Sequence, residues 1–159
     1  KRIIIFFNKI NNKKAHIMFV MDDISEVEDR KEELLVDKDG EYFRKFMEFS
    51  KFDIDDSYFT TLSKCSAHGE LVSEETRLLC SEYLMAQIAL VNPKYIIAVG
   101  EEVTNYFLPN EKITDIRNIV GNKYSYMGDI TIIPIYDLSY LFKADSKEKW
   151  KLVSILKEL

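Results

Sequence analysis

Cysteine, histidine, proline and glycine are all scarce in this chain. Two cysteines in 159 residues rule out a disulfide-stapled scaffold. Two histidines leave little material for an imidazole metal site or a histidine-based catalytic relay. Three prolines and five glycines leave no long linker, low-complexity tract or repeat, so 1–159 reads as a single domain. No apolar run approaches the roughly 20 residues that span a bilayer, so no membrane partner is expected. The cytoplasm is the expected compartment.

What is present suits a folded domain. Hydrophobic residues make up 47% and charged residues 31% of the chain, too apolar for intrinsic disorder. A chain of this length buries roughly 70% of its unfolded surface. The net charge is −5, unevenly spread. Residues 1–20 hold five basic groups and no acid, whereas residues 21–59 hold six basic and fourteen acidic groups. Acidic balance opposes nucleic-acid binding, which draws on phosphate neutralisation, unless one face is locally basic.

Short apolar runs alternate with helical patterns. His16–Met21 closes in acids and reads as a buried strand, preceded by an earlier strand at Ile3–Phe7 and an Asn11-Asn12 turn. Aromatics at helical spacing predict a helix over 40–51. Tyr58–Leu62, Tyr95–Val99 and Ile130–Ile135 read as further strands. Ser73 caps a long helix that ends near Asn92-Pro93. Gly100 turns into a short helix at Glu101–Phe107, and 146–159 is an amphipathic closing helix. This order predicts an α/β fold, three layers deep, around a mainly parallel sheet. Ligands of such sheets bind outside the carboxyl ends of the strands. That rule points to the acids after Met21, to Thr60–Cys65 and to Tyr136–Tyr140.

Several segments carry a resemblance in the same order. They are Lys64-Cys65, Cys80-Ser81-Glu82-Tyr83-Leu84, Gln87 with Asn92–Gly100, Ile113-Thr114-Asp115-Ile116-Arg117, and Ser139-Tyr140-Leu141. Together they resemble the family-four uracil-DNA glycosylases of the uracil-DNA glycosylase superfamily, over nearly the whole chain. The resemblance implies a base-excision hydrolase of DNA repair. Such an enzyme flips deoxyuridine out of single- or double-stranded DNA and hydrolyses its N-glycosidic bond.

The resemblance also assigns positions, and there the residue types change. Anchored on Glu28-Asp29, the first motif falls on Met21-Asp22-Asp23-Ile24-Ser25, without its glycines and proline. Asp22 then stands at the catalytic carboxylate, about 1.5 Å shorter than the family's glutamate, with Asp23 as a substitute. Leu35 stands where the family stacks a phenylalanine on the base, a register that Gly40 supports. Thr61 stands at the base-reading asparagine, and a hydroxyl lacks the paired donor and acceptor of an amide. Asp137-Leu138 replaces the catalytic histidine and its proline, with Ser139 beside the base. The plainer roles are caps of the next segment for Asp22 and Asp23, a helix cap or a solvated loop acid for Asp137, and a strand position for Thr61. An ionised Asp137 would repel the uracil anion that a histidine stabilises, so ordinary excision is expected to be weakened or lost. The alternative is a non-catalytic relative that binds nucleic acid or a protein through the inherited cleft. A monomer is expected.

The family's 4Fe-4S cluster takes four thiolates. Cys65 and Cys80 match two of them, and Cys80 reads equally as a buried structural thiol. The other pair is expected just before Arg2, thus upstream of Lys1. Either the natural protein carries that pair, or the cluster was lost together with the catalytic groups. As given, the chain holds no complete ligand set.

Overall fold

The computed structural model describes residues 14–64 and 73–159. The strand expected at Ile3–Phe7 lies outside them. Five strands form one sheet in the order β2-β1-β3-β5-β4. They are β1 (Ile17–Met21), β2 (Ser57–Thr61), β3 (Tyr95–Val99), β4 (Tyr124–Tyr126) and β5 (Ile130–Ile135). The first three and β5 run parallel, and β4 pairs antiparallel with β5 as a short edge. Among the described residues six α-helices accompany them: α1 (Glu26–Lys31), α2 (Lys38–Phe49), α3 (Glu74–Val91), α4 (Glu101–Phe107), α5 (Leu138–Lys143) and α6 (Ser146–Lys157).

Burial on both faces explains why the central strands are apolar without alternation. Four of the five residues of β1 are fully buried, as are four of the five in β3. Odd-numbered side chains of β1 and β3 face α2, α5 and α6, in a core of Phe19, Phe43, Met47, Ile97, Leu141 and Leu152. Even-numbered ones face α3 and α4, meeting Leu84, Ile88, Val103 and Phe107. This is the three-layer α/β arrangement expected from the pattern of elements.

The aromatic inner face expected of α2 is present. Phe19 stacks on Phe59 of β2 with centroids 4.7 Å apart, and its edge meets Phe43 of α2 at 5.9 Å. The helix begins at Lys38 rather than residue 40, because the Asp37 carboxylate accepts the Gly40 N–H at 2.8 Å and caps it earlier. Two short helices were not foreseen. One is α1, closed by a reciprocal capping box between Ser25 and Glu28. The other is α5, which follows β5 directly.

Phe19 of β1 holds the edge strand β2 and helix α2 to it. Phe19→Ala should lower the unfolding free energy by about 3–5 kcal/mol in urea denaturation. A loss under about 1 kcal/mol would show that the ring stack contributes little.

Candidate active site at the carboxyl ends of the strands

Parallel pairing brings the carboxyl ends of β1, β2, β3 and β5 to one edge. The pairing of β1 with β2 runs past the strands themselves. Leu62 N–H donates to the Met21 carbonyl at 2.7 Å, and Ser63 N–H to the Asp22 carbonyl at 2.8 Å. On the far side, Gly100 N–H donates to the Ile135 carbonyl at 3.0 Å. Asp22 and Asp23 therefore leave β1, and Asp137 leaves β5, on either side of the Gly100 turn after β3.

Asp137 occupies the N-cap position of α5 but makes no side-chain cap bond. Its carboxylate turns over β3 instead. A Cβ built on Gly100 would lie 2.1 Å from Asp137 Oδ1, and Gly100 has φ +89°. Only a bare α-carbon gives that carboxylate room, and glycine holds that backbone angle without strain. Asp22 is not a cap either, since Ser25 caps α1. Neither carboxylate makes a helix-cap bond, and Asp137, exposed as a residue, keeps the solvated-acid reading beside its contact with Gly100.

Their surroundings are acidic. Asp137 is exposed as a residue, yet partial burial of its carboxyl raises it above its ordinary value, and Glu101 and Glu102 at the start of α4 raise it further. Asp22 is half-buried, and burial raises it too. Asp23, Glu102 and Asp137 add to that rise, while Arg77 of α3 opposes it. Arg77 Nη1 lies 3.7 Å from Glu102 Oε2. It offsets the acids felt by Asp22, and among the described residues no cation acts this way on Asp137.

The positions matched to the base pocket fall deeper. Thr61 sits opposite Met21 in the β1–β2 register and is buried, its hydroxyl donating to the Ser63 carbonyl at 2.5 Å. Leu35 is buried in the α2-side core, in a left-handed conformation with φ +60°. That angle costs a non-glycine residue about 1–2 kcal/mol, and its neighbours enforce it. Leu35 N–H donates to Glu28 Oε1 at 2.8 Å, and Arg44 Nε donates to the Leu35 carbonyl at 3.0 Å. Gly40 is bare because a Cβ there would lie 2.4 Å from the Leu35 α-carbon. Ser139 is exposed on the first turn of α5. His16 lies before β1 at the opposite edge, where its carbonyl accepts the Lys94 and Tyr95 N–H groups.

Three groups of this edge had no role from sequence. Gly100 is one, although a glycine ending a buried strand is a readable sign of close approach. Glu101 and Glu102 look like ordinary first-turn acids. Lys64 is the third: it is buried, and its ammonium donates to Thr60 Oγ1 at 2.5 Å and to the Thr61 carbonyl. Burial brings its pKa down to about 7, with Cys80 opposing that shift. Thr60 in turn bonds Gln87, which bonds Tyr58, tying β2 to α3.

Cys80 is buried and its sulfur accepts the Lys64 N–H at 3.3 Å. Cys65 lies outside the described residues, as does His68. Two cysteines cannot supply the four thiolates of the cluster, and no group of three or more metal-binding side chains occurs among the described residues. The residues present therefore do not make a cluster site by themselves. No helix among the described residues is long and apolar enough to cross a membrane.

A mainly parallel sheet with two raised carboxyls at its strand ends defines a three-layer α/β domain with an acidic edge at its switch point. By sequence, residues 7–159 match the Uracil DNA glycosylase superfamily, and the chain belongs to it. It is 27% identical over 143 residues to the "Type-4 uracil-DNA glycosylase" of Thermotoga maritima, covering 89% of this chain and 74% of that protein. It is 28% identical over 130 residues to the "Type-4 uracil-DNA glycosylase" of Sulfurisphaera tokodaii, covering 77% of this chain and 59% of that one. The superfamily expected from the sequence motifs is thus the one found.

The fit of Asp137 over Gly100 is testable by coupling. Gly100→Ala should destabilise the fold by about 1–3 kcal/mol. Adding Asp137→Ala should recover at least about 0.5 kcal/mol of that loss. Strictly additive losses would mean that the two residues do not press on each other.

Proposed function

We propose that this domain is a weakened uracil-DNA glycosylase that works with a carboxyl pair in place of a histidine. The observation that carries the proposal is the meeting of Asp22 and Asp137 at one sheet edge, neither spent as a helix cap. Excision breaks the bond between the deoxyribose C1′ and the base nitrogen, and leaves an anionic uracil beside a cationic sugar. In this reading the Asp22 carboxylate faces the sugar and Asp23 adds negative charge beside it. A neutral Asp137 carboxyl donates a hydrogen bond to the uracil oxygen. Leu35 and Thr61 line the base pocket, and Ser139 borders it.

In this reading the proton rests on Asp137, at the position matched to the base, while Asp22 stays ionised at the position matched to the sugar. Both carboxyls lie above the ordinary aspartate value, Asp137 through burial, Glu101 and Glu102, and Asp22 through burial and neighbouring acids with Arg77 opposing. Weakness of excision follows from the same residues. Leu35 offers no π face, forfeiting about 1–3 kcal/mol of stacking, and the Thr61 hydroxyl is already committed to Ser63. DNA as substrate and a cytoplasmic setting belong to this proposal. A 4Fe-4S cluster at Cys65 and Cys80 belongs to it only with two further thiolates.

A strand-nicking assay on uracil-containing single- and double-stranded DNA tests the reading. Excision should rise as pH falls through the raised Asp137 pKa, then decline once Asp22 also takes a proton. Asp22→Asn should abolish it. Asp137→His should raise the neutral-pH rate by about 10²–10³, and Asp137→Asn should flatten the acid dependence. A rate independent of pH and untouched by Asp137→Ala would refute the carboxyl-donor role. Salt-sensitive DNA binding with no excision at any pH would favour the non-catalytic alternative.

A further inference from the structure

Helix α3 is apolar on two sides. Its inner face buries Cys80, Leu84, Ile88 and Val91. Its outer face carries Leu78 at 66% exposure, Leu79 at 51%, Tyr83 at 39% and Leu90 at 83%. Ala86 and Ala89 are exposed there too. From Leu78 to Pro93 the only charged residue is Glu82. A surface helix keeps its polar residues outside, and a helix that is apolar all round is normally covered on both sides. At about 100° per residue, Leu79, Tyr83, Ala86 and Leu90 fall within an arc of roughly 60°. They form a straight stripe on a helix of 18 residues.

We propose that this stripe is the interface of a homodimer, in which α3 packs antiparallel on α3 of a second copy about a two-fold axis. The stripe is complementary to itself in that orientation. With the axis passing between Leu84 and Met85, Leu79 meets the partner's Leu90, and the large Tyr83 meets the small Ala86. Each pairing occurs twice, as a two-fold interface requires. The charges at the helix ends agree. The antiparallel arrangement brings Glu74 and Glu75 in the first turn of one helix toward Lys94, which is exposed just beyond the other helix's end. A parallel arrangement would set acids against acids. Alternation of large and small residues fits helices packed ridge into groove. This dimer departs from the monomer expected from sequence. It does not depend on whether the cleft excises uracil, since α3 presents this stripe on the side away from the sheet.

Sedimentation velocity of the whole chain from micromolar to millimolar concentration tests the proposal. A reversible, concentration-dependent dimer is expected. Leu90→Glu and Leu79→Glu should each weaken it at least tenfold while leaving Tm nearly unchanged, because both side chains are already exposed. Glu75→Lys alone should weaken the dimer, and Glu75→Lys with Lys94→Glu should restore it. Uracil excision by the Leu90→Glu protein should equal that of the unaltered chain. A monomer at every concentration, or a dimer indifferent to Leu90→Glu, would overturn the proposal.

Discussion

The Asp137 carboxylate rests on the bare α-carbon of Gly100, and the character of the cleft follows from that contact. A side chain at residue 100 would occupy the place of the carboxylate. Because it lies over β3 rather than capping α5, Asp137 stands among the other strand ends, near Asp22. The acids at the start of α4 then bear on it directly. A carboxyl in such company holds its proton more tightly than one in water. Asp137 is thus placed where its carboxyl gives up a proton less readily than an ordinary aspartate.

The rest of the architecture serves to hold these ends in register. Parallel pairing aligns β1, β3 and β5 so that each ends at one level, and the Phe19–Phe59 stack beneath them ties β1 to β2. Past the strands, backbone bonds from Leu62 and Ser63 extend the β1–β2 pairing up to Asp22. Glu28, Arg44 and Gly40 hold Leu35 in a backbone angle that it would not adopt alone. That strained backbone angle is held by its neighbours rather than by Leu35 itself.

Much of this was legible in the sequence. Apolar runs located β1, β2, β3 and β5 to within a residue or so, because strands buried on both faces need little else. The capping serine and the terminal Asn-Pro bounded α3. Short elements escaped. The signature of α1, Ser25 followed three residues later by Glu28, was present but lay among acids that read as a charged loop. α5 has six residues, too few for a period to register. In the site, residue types at matched positions could be read from order alone. The direction of the Asp137 side chain could not, because capping and turning over Gly100 demand the same residue. Lys64 shows the same limit: its burial depends on the layer formed by β2 and α3, which no local pattern reveals. The outer stripe of α3 depends on which side of the helix meets the sheet, which the capping and terminating residues do not reveal.

The proposed role of Asp137 rests on its carboxyl holding a proton above the ordinary aspartate range. Direct titration of the Asp137 side chain, by carbon-detected NMR with Asp137→Asn as the assignment control, tests that claim at its root. The account predicts a midpoint clearly above the ordinary aspartate value of 3.8, lowered when Glu101 and Glu102 are replaced by glutamine. A midpoint at or below that value, unmoved by the two replacements, would contradict it.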